Sequence, residues 1–110
     1  MKQSDNPNEY EKLSFQQTKT VLSWISRNIK SHKMRNNRHY SMGIKRYFER
    51  DHEAGGFPIS NGAFKGAMKA SGYNPVNESC TNWEFYISNR SLAFFPDTNE
   101  EGYNVSVRSR

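Results

Sequence analysis

Residues 83–95 read WEFYISNRSLAFF, and this stretch decides the fold class. Trp83, Phe85 and Ile87 alternate with Glu84 and Tyr86. Successive side chains of an extended chain leave opposite faces, so this alternation predicts a half-buried strand. Asn89-Arg90 then supplies a turn, and residues 92–95, stopped by Pro96, predict a return strand. Further on, Tyr103, Val105 and Val107 alternate again and predict a last strand. The C-terminal part therefore reads as a small antiparallel hairpin or sheet.

Upstream the period changes from two to between three and four. Ser14 followed by Gln17 makes a capping box. Phe15, Thr18, Leu22, Ile25 and Ile29, widened by Val21 and Trp24, form an apolar stripe and predict a helix over 14–31. Residues 32–40 have no periodicity and read as a basic loop. A second helix is predicted over 41–53, with Ser41 as cap and Ile44, Tyr47 and Phe48 facing inward. Gly55 and Gly56 end it, since glycine tolerates the left-handed exit. Phe57-Pro58-Ile59 reads as a short extended piece. A third helix, over 61–71 after Ser60 or Asn61, turns Phe64, Ala67 and Met68 inward, while Gly62, Ala63, Gly66 and Ala70 allow a close neighbour. Gly66 in mid-helix costs about 1 kcal/mol relative to alanine, so it needs a packing or contact reason.

Residues 1–12 are polar and read as a flexible N-terminal segment; residues 13–110 read as a single domain. The order of elements predicts an α+β fold: three helices followed by a small antiparallel β-hairpin or sheet, winged helix-turn-helix-like. Only 34% of the 110 residues are hydrophobic, which implies a thin core, but 14% are aromatic and each large ring buries much apolar area.

Charge is unevenly spread. Residues 1–50 carry eleven Lys/Arg against four Asp/Glu, and residues 51–110 carry five against seven, within a chain of net charge +5. Most of the excess lies in residues 27–50, which favours a polyanionic partner, because neutralised phosphates release counterions. The alternative is a solvated surface that keeps a small domain soluble. The lone cysteine, Cys80, excludes an internal disulfide and fits a reducing compartment. No apolar run approaches a membrane span, and MKQSDNPNEY has no signal-peptide core, so a cytoplasmic protein without a membrane partner is expected.

The segments Tyr40-Ser41 with Gly43-Ile44-Lys45, Phe57-Pro58-Ile59-Ser60-Asn61-Gly62-Ala63-Phe64, Gly72-Tyr73 and Asn82-Trp83 resemble a family of small uncharacterised proteins from bacteria, phages and mobile elements. The resemblance covers residues 39–88 and implies a phage or mobile-element context without implying an activity. The helix after Ser60 also bears a faint likeness to the terminal winged-helix segment of some viral primase-helicases, with nothing of primase chemistry.

Enzyme readings find little support. His32, His39, His52 and Cys80 have no metal-ligand spacing, so no metal is expected. Phe64-Lys65-Gly66 lacks the glycine-rich turn of a phosphate loop, and no cofactor is expected. A non-enzymatic nucleic-acid-binding protein, DNA favoured, a phage or mobile-element regulator, is the leading expectation. In it Asn61, Lys65 and Lys69 face the groove from a recognition helix, and Arg35, Arg38, Arg46 and Arg50 hold backbone phosphates. Tyr86, Phe94 and Phe95 are the candidates for exposed, base-stacking aromatics, while Trp83, Phe85 and Ile87 fit the core. The competing function is a protein–protein inhibitor of a host defence or nucleic-acid-processing complex, anti-CRISPR-like or anti-restriction-like, anchored by aromatics with flanking arginines. There the acidic group Asp97, Glu100 and Glu101 would meet a basic host surface.

Overall fold

The structure, a computed structural model, describes residues 3–95. Three α-helices carry it: α1 (Phe15–Asn28), α2 (Ser41–Arg50) and α3 (Asn61–Ala70). Four short 3-10 turns accompany them, Gln3–Asp5 and Pro7–Lys12 before α1, His52–Ala54 between α2 and α3, and Leu92–Phe94 after α3. Tyr103, Val105 and Val107 and the acidic group Asp97, Glu100 and Glu101 lie outside the described residues.

The capping box forms as read: the Gln17 amide donates to Ser14 Oγ at 3.1 Å and the Ser14 amide to Gln17 Oε1 at 3.0 Å. The buried face of α1 is Val21, Trp24 and Ile25, with Ile29 just beyond the helix. Phe15, expected in that stripe, is 83% exposed, because packing on the core begins later, at Val21. In α2 Ile44 and Phe48 are fully buried. Ser41 is the first residue of α2 and not its cap; its buried hydroxyl accepts from the Trp83 amide at 3.0 Å and donates to Asn61 Oδ1 at 2.9 Å.

The centre of the molecule is α3. Every residue from 61 to 68 is buried, on all sides of the helix. Ser60 caps it by accepting from the Ala63 amide at 3.1 Å. Phe64 meets Trp24 and Phe48, and Trp24 packs edge-on against Phe48 with ring centres 5.5 Å apart. The indole of Trp24 donates to Asp51 Oδ2 at 3.0 Å, so its one polar atom is satisfied. The opposite flank of α3 carries Gly62 and Gly66. The segment read as a loose start lies packed there, in the turns Gln3–Asp5 and Pro7–Lys12. A Cβ on Gly66 would stand 2.4 Å from Tyr10 Cβ and 2.6 Å from the Pro7 carbonyl oxygen. That close approach is the reason for a mid-helix glycine.

The hairpin is not formed. Among the described residues there is no β-strand, only two isolated antiparallel bridges, Ser31 with Ile87 and Pro75 with Phe85. The fold is mainly helical, and the α+β, winged helix-turn-helix-like expectation is corrected. The alternation itself holds: Trp83, Phe85 and Ile87 are buried and Tyr86 is exposed. What differs is the partner. The carbonyls of Trp83, Phe85 and Tyr86 accept from the amides of Ser41, Asn36 and His32, and that of Glu84 from Val76. These loops satisfy the extended segment, so no return strand is needed. Ser91 then redirects the chain: its hydroxyl accepts from the Lys30 amide at 2.8 Å and donates to the Ser88 carbonyl at 2.7 Å. Residues 92–94 follow as a 3-10 turn.

Candidate functional site

Burial breaks up the expected recognition surface. Asn61 is 4% exposed and Lys65 is fully buried. Asn61 Nδ2 donates to Asp5 Oδ1 and the Thr81 carbonyl, both at 3.1 Å, and to Asn82 Oδ1 at 3.3 Å. Lys65 Nζ donates to the Thr81 carbonyl at 2.8 Å and lies 4.7 Å from the centre of the Trp83 ring. Desolvation pushes its ammonium below the ordinary lysine range, against the opposing influence of Asp5 and Cys80. Asn61 holds the 3–5 turn and the residue 74–82 loop onto α3, and Lys65 holds that loop; neither reaches solvent. Lys69 is exposed but pairs with Glu78 at 3.1 Å. Arg35 lies 3.8 Å from Glu84.

Three of the expected phosphate contacts do converge. Arg38, Arg46 and Arg50 line one open groove of about 810 Å³, with His39, Tyr40, Met42, Gly43, Tyr47 and Asn82. The helical period explains half of it: Met42, Arg46 and Arg50 recur every four residues on the face of α2 opposite Ile44 and Phe48. Arg38 arrives from the loop before α2. Among the described residues no acidic side chain lines the groove. Among the described residues neither Arg38 nor Arg46 is in an ion pair, whereas Lys45 on the flank of α2 pairs with Glu49 at 3.1 Å.

The groove has an aromatic base. His39 stacks on Phe94 with ring centres 3.6 Å apart and planes 6° from parallel, and Tyr47 meets Phe94 edge-on at 5.3 Å. The Arg50 guanidinium sits 5.2 Å over Tyr47. Phe94, expected as exposed, is therefore buried, closed off by the two rings; Tyr86 and Phe95 are exposed as expected. Tyr40 is 40% exposed at the groove and lies outside the core cluster.

Asn36 holds the loop in place, and sequence reasoning passed over it. Buried at 5% exposure, it accepts through Oδ1 from the amides of Arg38 and His39, at 2.8 and 2.9 Å. Its Nδ2 donates to the Ile87 carbonyl at 3.1 Å and to Asn89 Oδ1 at 2.8 Å. The only local signal was an asparagine in a loop, a residue whose side chain commonly bonds the backbone two residues on. Asn36→Ala leaves these groups without a partner, and a loss of about 1–2 kcal/mol is expected in chemical denaturation, with faster hydrogen exchange at the Arg38 and His39 amides. Unchanged exchange at those two amides would refute the role. Tyr40, Met42 and Asn82 were also missed as groove residues, since nothing local distinguishes them from other loop and helix positions.

Among the described residues no three His, Cys, Asp or Glu side chains are grouped to hold a metal ion, and no helix is long and apolar enough to cross a membrane. Comparison with protein-family models, with curated proteins and with solved structures finds no match for this chain.

Proposed function

We propose that this is a non-enzymatic nucleic-acid-binding protein, a regulator of a phage or mobile element, whose contact surface is the groove on the outer face of α2. The carrying observation is the convergence of Arg38, Arg46 and Arg50 on one groove that, among the described residues, no acidic side chain lines. Such a groove concentrates positive potential, and guanidinium groups match phosphate oxygens in a fixed fork geometry. Within the groove the Tyr47 ring carries the Arg50 guanidinium 5.2 Å above its centre. The buried helix α3 has no part in contact.

The test is fluorescence anisotropy of labelled oligonucleotides over a range of salt. The double variant Arg38→Glu with Arg46→Glu changes only exposed side chains, so the fold is expected to be kept. Affinity for nucleic acid is expected to fall by roughly tenfold to thirtyfold. The salt slope should shrink by about 1.4 for a single strand, two phosphate contacts at about 0.7 each. No binding at low salt, or a double variant that binds like the parent, rejects the proposal.

A second reading is favoured by a different observation. Phe15, Met34 and Leu92 are 83%, 66% and 57% exposed. An exposed large apolar side chain is the kind of anchor that an inhibitor of a host nucleic-acid-processing complex would use. In that case a single protein is retained in a pulldown at high salt, and the Phe15→Ser and Leu92→Ser variants lose it.

A further inference from the structure

We infer that the ligand of this surface is a nucleic-acid strand with unpaired bases, single-stranded DNA or RNA, and not a duplex; this rests on the reading of the groove as a nucleic-acid site. Duplex readers place a helix or ribbon inside a major groove about 12 Å wide. Here the helix that would do so, α3, is buried through residue 68. The cations of α2 line a concavity instead. A concave basic surface suits a flexible backbone whose bases turn inward.

The groove also offers a base a face to stack on. Tyr40 lies in it beside Arg38 and Met42, with its ring outside the core cluster and without a capping hydrogen bond from its side chain. An exposed ring among arginines is how sequence-tolerant single-strand sites hold successive bases, because every base has a stacking face.

A second basic concavity points the same way. Lys30, His32, Arg35 and Arg90 line a depression of about 560 Å³ together with Asn37 and the exposed Met34. Asn37 lines this depression and Arg38, the next residue, lines the first, so the two meet at the loop held by Asn36. A single strand can bend over that loop and place phosphates on both sides. A duplex, with a persistence length of about 50 nm, does not fold over a feature of this size without a large cost.

The experiment uses the full chain and labelled 12-nucleotide single-stranded DNA, single-stranded RNA and duplex DNA of the same sequence, by anisotropy over one common series of salt concentrations. At least one single strand is expected to bind ten times more tightly than the duplex. Tyr40→Ala should weaken that single strand about tenfold with an unchanged salt slope, and Tyr40→Phe should bind as the parent does. Arg90→Glu should weaken it and shrink the slope by about 0.7. The stronger of the two single strands identifies the sugar. A duplex that binds as tightly as either single strand overturns the inference, as does Tyr40→Ala equal to the parent. The groove reading survives those outcomes if Arg38→Glu with Arg46→Glu still weakens binding. Absence of binding to all three probes removes both.

Discussion

Lys65→Glu is expected to destabilise the protein by about 3–5 kcal/mol, close to the whole stability of a marginal domain, while Lys65→Met costs no more than about 1–2 kcal/mol. The side chain is fully buried, and its ammonium donates to the Thr81 carbonyl at 2.8 Å above the face of Trp83. Glutamate would direct an acceptor at that carbonyl, a negative charge at the negative ring face, and both beside Asp5, whose charge already acts on this position. Methionine keeps most of the volume and removes the desolvation cost. The Thr81 carbonyl still accepts from Asn61 Nδ2. Urea denaturation of the three proteins measures the difference. A glutamate variant as stable as the parent would mean that residue 65 faces water.

The same comparison has a pH arm with a definite sign. Burial holds Lys65 below its ordinary value of 10.5 in the folded protein. The unfolded chain therefore binds this proton more tightly, and between the folded value and 10.5 the contribution of Lys65 to stability rises with pH. Below that window the contribution is constant. The parent should thus gain on Lys65→Met as pH is raised through the alkaline range. A difference independent of pH there would contradict the shift. Reversing this charge is also no test of nucleic-acid binding, because the loss of the fold would imitate loss of the site.

Gly62→Ala is the second large effect, expected to cost about 3 kcal/mol, the upper end of ordinary overpacking. Helix propensity alone predicts the opposite sign, a gain of about 1 kcal/mol. The added Cβ would lie 2.1 Å from the Asn6 carbonyl oxygen and 2.7 Å from both the carbonyl carbon and the amide nitrogen of Asn6. These are backbone atoms, so no rotamer change makes room. The turn around Asn6 must lift, and the bond from Asn61 to Asp5 is drawn out with it. Gly43→Ala is the control, since its Cβ meets nothing within 4 Å in α2, and it should stabilise. Thermal unfolding with limited proteolysis of the N-terminal segment reads both. If Gly62→Ala stabilises as Gly43→Ala does, the segment does not rest on α3.

Local chemistry was legible without a fold. The capping box of Ser14 and Gln17 needs only residues three apart, and it forms. Strand-like alternation at Trp83, Phe85 and Ile87 named the buried side correctly, since facing depends on the chain's own pleat. The spacing of Arg46 and Arg50 placed them on the outer face of α2 for the same reason. The small residues of α3 announced a close neighbour without naming it.

Whatever depended on distant residues was decided by the tertiary structure. The carbonyls of residues 83–86 bond to loops at 32–41 and 76, not to a return strand, because those amides also needed partners and lay nearer in space. Lys65 and Lys69, four apart and alike in sequence, part company because the 74–82 loop covers one and Glu78 meets the other at the surface. Asn61 is buried because Asp5, Ser41 and Asn82 close on it from three segments. Helical periodicity gives the spacing of side chains around α3, but which of its faces meets water is set by what packs there, and on α3 every face through Met68 found a neighbour.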